Sequence, residues 1–222
     1  MLDLPLVTVI TPSFNQVDYL EQSMRSVLEQ GYPNLEYFVM DGGSTDGSVE
    51  LIEKYAPRLA GWVSEPDRGQ ADGVNKGLAR AQGEIIGWLN SDDLYLPGAI
   101  LGAVQTFQAN PQAGMVFSDV QAIDAAGRVT NVMRYGNWGL EDLMTFHIIG
   151  QPGVFIRRRV LEGVGMLDLR YRFLLDHQLW LRLAQVAPMV HVRAVWAAGR
   201  FHPAAKNVAQ APRFGSEAYA IV

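Results

Sequence analysis

Four apolar runs in this chain each stop at an acid. Residues 36–40 end at Asp41, and 61–64 run into Glu65 and Asp67. Residues 85–89 lead to Asp92 and Asp93, and 115–117 lead to Asp119. An earlier run, 6–11, is stopped by Pro12. Helical periodicity fills the intervals. Leu20, Met24, Val27 and Leu28 share one face of a helix that opens near Asp18, where Asp18 and Glu21 have capping-box spacing, and closes at Gly31. Val49 and Ile52 mark a second helix, up to Pro57. Ala71, Val74, Leu78 and Ala81 mark a third, ended by Gly83, and 97–109 read as a fourth. Strands alternating with helices predict an α/β architecture: a Rossmann-like, mainly parallel central sheet with helices on both faces. Ligands of such sheets bind at the carboxyl ends of the strands. Here that edge is lined with acids, so an anionic ligand is repelled from it unless a cation intervenes.

The second half is less regular. Residues 120–132, centred on Asp124-Ala125-Ala126-Gly127, read as a hairpin, and a helix carries Leu140 and Leu143. Gly150-Gln151-Pro152-Gly153 is a loop leading into Val154-Phe155-Ile156. Residues 175–186 are helix-like, and 189–196 read as a strand leading to His202. No internal repeat or linker divides the chain, so 1–222 reads as one domain.

Composition narrows the function. Apolar residues make up 49% of the 222, enough for a core. A net charge of −5 argues against a general nucleic-acid binder. The absence of cysteine removes disulfides, thiolate zinc sites and cysteine nucleophiles. No apolar stretch approaches the ~18 residues of a membrane span, and Asp3 and Pro5 interrupt any signal-peptide pattern. These features predict a cytoplasmic protein, at most in peripheral contact with the inner face of a membrane. Arg157-Arg158-Arg159 is either a contact for an anionic surface or a solvated face. The stop at Tyr219-Ala220-Ile221-Val222 suggests that a C-terminal helix is missing or cut short.

Adjacent carboxylates repel each other and are costly to desolvate. Ser91-Asp92-Asp93 is therefore an acidic turn in water or a site for a divalent cation with oxygen ligands. The glycine-rich loop 42–47 is either a flexible strand-to-helix turn with Asp46 as helix cap, or it leaves Asp41 at the binding edge to accept a hydrogen bond from a base or ribose. No phosphate-cradling Gly-x-x-x-x-Gly-Lys-Ser/Thr motif is present, and Pro12-Ser13-Phe14-Asn15 stands where a dinucleotide fingerprint would follow the first strand. Asp176 is a helix N-cap or a base facing a pocket. His202 is a structural histidine or a metal ligand. His147 and His191 have no spacing that makes a metal pair.

Thr11-Pro12-Ser13-Phe14-Asn15, Asp41-Gly42-Gly43-Ser44-Thr45-Asp46, Asp67-Arg68-Gly69-Gln70-Ala71-Asp72 with Asn75-Lys76-Gly77, and Asn90-Ser91-Asp92-Asp93 follow one another in the order seen in family 2 glycosyltransferases. The resemblance covers 5–110 strongly. It returns around 150–155 and 176–183, and more faintly at 202–206. It implies a GT-A fold, with a nucleotide-sugar-binding half (1–110) and an acceptor-binding half (111–222). It also implies an inverting transfer of one sugar from a UDP-, GDP- or dTDP-linked donor to a glycan or lipid-linked acceptor, in surface polysaccharide or glycolipid assembly. By resemblance, Thr11, Pro12 and Asp41 hold the nucleotide, with Asp67 and Arg68 close by. Asp92 ligates Mn2+ or Mg2+, assisted by Asp93 and His202, and Asp176 is the catalytic base. The family's Asp-x-Asp signature begins with Asn90 here. The Gln-x-x-Arg-Trp sequence of processive synthases is absent after Asp176, which favours single-sugar addition. Two other readings compete: a sugar-1-phosphate nucleotidylyltransferase, which would want a basic glycine-rich first loop, and a catalytically silent binder of nucleotide sugars or glycans, which could dispense with Asp176.

Overall fold

The structure, a computed structural model, describes residues 4–203 together with Glu217, Ala218 and Ile221. Lys206 and the chain end at Tyr219, Ala220 and Val222 lie outside the described residues. A nine-stranded sheet runs in the order Gly61–Ser64, Leu35–Asp41, Val7–Ser13, Ile85–Trp88, Val154–Arg157, Met115–Asp124, Met189–Phe201 and Leu94–Tyr95, with Val129–Met133 paired to Met115–Asp124. The expected alternation builds its first half: β1 (Val7–Ser13), α1 (Val17–Leu28), β2 (Leu35–Asp41), α2 (Ser48–Tyr55), β3 (Gly61–Ser64), α3 (Gln70–Leu78) and β4 (Ile85–Trp88). These strands are mutually parallel, so their carboxyl ends share one rim. The rest comprises β5 (Leu94–Tyr95), α4 (Ala99–Ala109), β6 (Met115–Asp124), β7 (Val129–Met133), α5 (Leu140–Met144), β8 (Val154–Arg157), α6 (Arg158–Val164), α7 (Leu175–Val186) and β9 (Met189–Phe201). β9 runs parallel to β6, whereas β8, β5 and β7 join their neighbours antiparallel.

Strand alternation divides the core into two layers. Val7 and Val9 of β1 face one layer, which includes Leu20, Met24 and Val27 of α1 and Val104 and Phe107 of α4. Ile10 faces the other, with Val74 of α3, Leu161 of α6 and Leu179 and Trp180 of α7. Each such fully buried aliphatic or aromatic side chain contributes about 1.5–3 kcal/mol. The sheet is thus pinned from both sides and its rim is left to loops.

Several local expectations are corrected. Helix α1 has no capping box: Gln16 stands at its N-cap without a side-chain bond, and Asp18 lies inside the first turn. Asp46 does the capping from a distance, its Oδ2 accepting from the Val17 N–H at 2.9 Å. β6 does not stop before Asp119 but runs through it, with the pairing to β9 slipping on either side. Asp119 is therefore buried within a strand, and only three of the four acid-bearing strand ends belong to the rim. β9 extends past Trp196 to Phe201. Asp176 is the second residue of α7, and Leu174 occupies the N-cap position. The three arginines are not a free basic patch. Arg157 is buried over the Phe107 ring, with its guanidinium carbon 4.7 Å from the ring centre, and bonds Glu84; Arg158 pairs with Glu162. Among the described residues, no helix is long and apolar enough to cross a membrane.

Candidate active site

The rim residues form a continuous chain of contacts. At the end of β1, Thr11 turns its hydroxyl into the buried layer, 2.9 Å from the Tyr37 hydroxyl. Its side chain is thereby committed to the core, and its backbone is what remains for a ligand. Pro12 and Ser13 pair in register with Met40 and Asp41. Asp41 is buried, and both its oxygens are engaged by its own surroundings: Oδ2 accepts from the Gly43 and Ser44 amides at 3.0 and 2.8 Å and from the Ser64 hydroxyl at 2.7 Å, and Oδ1 accepts from the Ser44 hydroxyl. Asp41 therefore folds the loop that follows it, while Asp46 Oδ1 accepts from the Ser48 amide at 3.0 Å at the start of α2, with Gly47 in the N-cap position.

Asp67 comes next along the rim. A β-carbon on Gly42 would lie 2.8 Å from its Oδ2, and one on Gly73 would lie 3.4 Å from both that oxygen and Pro12 Cβ. Pro12, Asp67 and the loop after Asp41 are therefore in one place. Asp67 Oδ1 accepts from the Gly69 amide at 2.7 Å. Arg68 is exposed and pairs with Asp72 at 3.0 Å.

The turn after β4 is the most heavily braced part of the rim. Asn90 Oδ1 accepts from Gln70 Nε2 (2.6 Å) and Trp88 Nε1 (2.9 Å), its Nδ2 donates to Asp93 Oδ2 (3.1 Å), and its carbonyl accepts from the Ser23 hydroxyl (3.0 Å). The amide that replaces the signature's first acid thus acts as a clasp on the turn. Asp93 is buried, with Oδ1 accepting from the Arg200 amide at 2.8 Å. Burial, and then the charge of Asp92, push its carboxyl well above the usual range, against the pull of the Arg200 and Asn90 donors. Both its oxygens are held inside the protein. Asp92 differs: its side chain retains 19% of its exposure, and Oδ2 lies 3.2 Å from Nε2 of the buried His202, delivered by the end of β9. The His202 ring leans on Tyr19, with centroids 4.7 Å apart.

Asp92 and His202 make a donor pair that a divalent cation could use. Two ligands side by side on one Mn2+ or Mg2+, each at about 2.1 Å, lie about 3 Å apart, close to the separation of Asp92 Oδ2 and His202 Nε2. Among the described residues, no three acid or histidine side chains gather into a complete cage. The pair leaves most of an ion's coordination to groups other than the described side chains.

Asp176 belongs to α7, whose Leu175, Leu179 and Trp180 lie in the other core layer. One turn along the same face of α7, Trp180 packs against Trp88, with ring centroids 6.5 Å apart, and the Trp88 indole bonds Asn90. Asp176 also raises the Tyr135 hydroxyl, which burial first of all, and Asp119 as well, push up to about 12, while the Gly150 amide pulls it back. The next residue, Gln151, bonds the Trp88 carbonyl, so the 150–153 loop ties Asp176's surroundings to the end of β4. Glu217 holds the entrance of α7 by accepting from the amides of Arg172, Phe173 and Leu174 at 2.8–2.9 Å.

Glu217 and Arg200 are among the residues absent from the sequence reading. Glu217 is a lone acid in an unpatterned segment and gives no signal. Arg200 gives a faint one, standing two residues before His202.

The fold is that of GT-A structures, and comparison with known proteins shows the family. The sequence model of glycosyl transferase family 2 matches residues 8–163. The chain is 42% identical over 184 residues to the putative teichuronic acid biosynthesis glycosyltransferase TuaG of Bacillus subtilis, covering 81% of this chain and 72% of that protein. It is 30% identical over 214 residues to an uncharacterized glycosyltransferase of Mycobacterium tuberculosis, covering 88% and 75%. Among solved structures it is similar to Staphylococcus aureus TarS 1–349 in complex with UDP, with a TM-score of 0.73 at 17% identity over 89% of this chain and 61% of that one. It is also similar to the Pyrobaculum calidifontis mannosyltransferase PcManGT in complex with GDP-Man and Mn2+, with a TM-score of 0.70 at 24% identity over 88% and 56%. The chain belongs to glycosyltransferase family 2. That membership sets aside the nucleotidylyltransferase reading.

Proposed function

We propose that this protein moves a single sugar from a nucleoside-diphosphate sugar to an acceptor hydroxyl, with inversion at the anomeric carbon and with a divalent cation at the Asp92–His202 pair. Its acceptor is a glycan or lipid-linked glycan of a surface polysaccharide. The reading draws on the relatives: TarS is described with UDP and UDP-GlcNAc, PcManGT with GDP-Man and Mn2+, and TuaG is named for teichuronic acid biosynthesis. The observation that carries it is the partly exposed Asp92 carboxylate 3.2 Å from the buried His202.

The rim's acids make the chemistry intelligible. A bound Mn2+ or Mg2+ would act as a Lewis acid toward the charge gathering on the departing diphosphate. Asp92 and His202 would hold it, Asp41 and Asp67 with the backbone of Thr11 and Pro12 would seat the nucleotide, and Arg68 stands beside them. Asp93 keeps the turn in shape. Asp176 takes the proton of the acceptor hydroxyl as that oxygen bonds to the anomeric carbon. The bond from that carbon to the diphosphate oxygen breaks, and its electron pair leaves with the nucleotide. One displacement on one face inverts the centre and needs no enzyme nucleophile. The site works in the cytoplasm, with at most peripheral contact with a membrane.

The test is release of UDP, GDP or dTDP from a panel of donors with Mn2+, using wild type and Asp176→Asn. One donor class should be consumed, and the variant should bind it normally while turning over roughly 10²–10⁴-fold more slowly. Unaltered turnover in the variant would remove Asp176 from the base role.

A further inference from the structure

We infer that Arg200 is a positioning residue for the cation site, an internal clamp that sets where Asp92 and His202 stand. This rests on the metal-assisted reading above. Arg200 is 3% exposed although it carries a full charge. A buried guanidinium is costly unless all its donors are engaged, and here they reach three separate parts of the chain. Nε donates to the Asp92 carbonyl at 2.8 Å. Nη1 donates to the Asp124 and Ala125 carbonyls of the β6–β7 turn at 3.2 and 3.1 Å. Nη2 donates to Gln22 Oε1 of α1 at 3.0 Å. The residue's own amide holds Asp93 Oδ1.

The stacking continues this arrangement to the ligand pair. The guanidinium carbon lies 4.7 Å from the centre of the Tyr19 ring, and that ring also meets the His202 imidazole. Arg200 thus grips the turn that carries Asp92 by its backbone, and touches His202 through one intervening ring. Its fixed charge also lies beside two adjacent carboxylates that would otherwise repel each other. Only a planar fork spans these acceptors together. Lysine keeps the charge but offers one point of attachment.

Binding of Mn2+ alone, followed by the loss of free-ion signal in electron paramagnetic resonance, tests the clamp without any substrate. Asp92→Ala should abolish binding. Arg200→Lys should weaken it roughly 10–100-fold, as loss of groups that orient metal ligands does elsewhere. Tyr19→Leu, which cuts only the ring between Arg200 and His202, should weaken it several-fold and guards against an Arg200 variant that fails to fold. Ile52→Val, a trimmed side chain in the core, serves as a stability control and should bind Mn2+ like wild type. A wild-type protein that takes up no Mn2+, or an Asp92→Ala that binds normally, overturns the metal reading itself. Wild-type affinity in Arg200→Lys or in Tyr19→Leu, with Asp92→Ala inactive in binding, overturns the clamp alone.

Discussion

At the scale of single residues, burial decides which titratable groups the fold tolerates. His177, beside Asp176, is 1% exposed. Its imidazole is held below its ordinary value of 6.5, first by burial, with the bond between its Nε2 and the Leu143 carbonyl acting the other way. Folded protein therefore keeps this ring neutral at a pH where the unfolded chain has begun to protonate it. Over that window the unfolded state binds more protons, so stability drops as pH falls below the unfolded value, by at most about 1.4 kcal/mol per pH unit. Replacing His177 with Gln should flatten the fall in melting temperature between roughly pH 7 and pH 5; an unchanged slope would assign the acid sensitivity to other groups. The same scale explains what the sequence hid. Asp41 and Asp93 could be marked as rim acids from their place after apolar runs. Their hydrogen-bond partners could not, because Ser64 and Arg200 lie 23 and 107 residues away in the chain. Asp92 and Asp93 look alike in sequence, yet one remains half-open and the other is enclosed.

At the scale of elements, periodicity was a good guide wherever one face was buried. Helix α3 shows the tolerance involved. Its Gly77 lies so close to β1 that a β-carbon there would meet Ile10 Cγ2 at 2.5 Å and Cγ1 at 3.0 Å. Ile10 is fully buried and branched at Cβ, so it has little room to give way. Gly77→Ala gains roughly 1 kcal/mol of helix propensity but overpacks the contact, at a cost of about 1–3 kcal/mol. A net loss of stability in urea unfolding is expected, and a stabilised variant would mean the α3–β1 contact is looser than described. The elements that escaped sequence reading are short or non-local. β5 has two residues, too few for any period, and α6 follows β8 without an intervening turn signal. β6 was read too short because Asp119 interrupts its apolar run. In the structure that carboxylate is met by the His191 ring and the Tyr135 amide, both distant in sequence.

At the scale of the whole molecule, strands from before and after residue 110 are woven into one sheet. β8 lies between β4 and β6, and β5, from the first half, is held by β9 from the second. A chain ending at residue 110 would leave β4 with an open edge and β5 with no partner, and unpaired edges invite aggregation. Such a fragment should show no cooperative melting by circular dichroism. A soluble, cooperatively folded fragment would make the first half a domain in its own right. β9 also carries slack: from Val192 to Ala197 it takes five steps while β6 takes two, from Ser118 to Val120. Everything below that stretch is locked into packed layers, and everything above it leads to Arg200 and His202. A lineage could lengthen or shorten the loose stretch and so shift where Arg200 and His202 sit, leaving the foundations of the protein as they are.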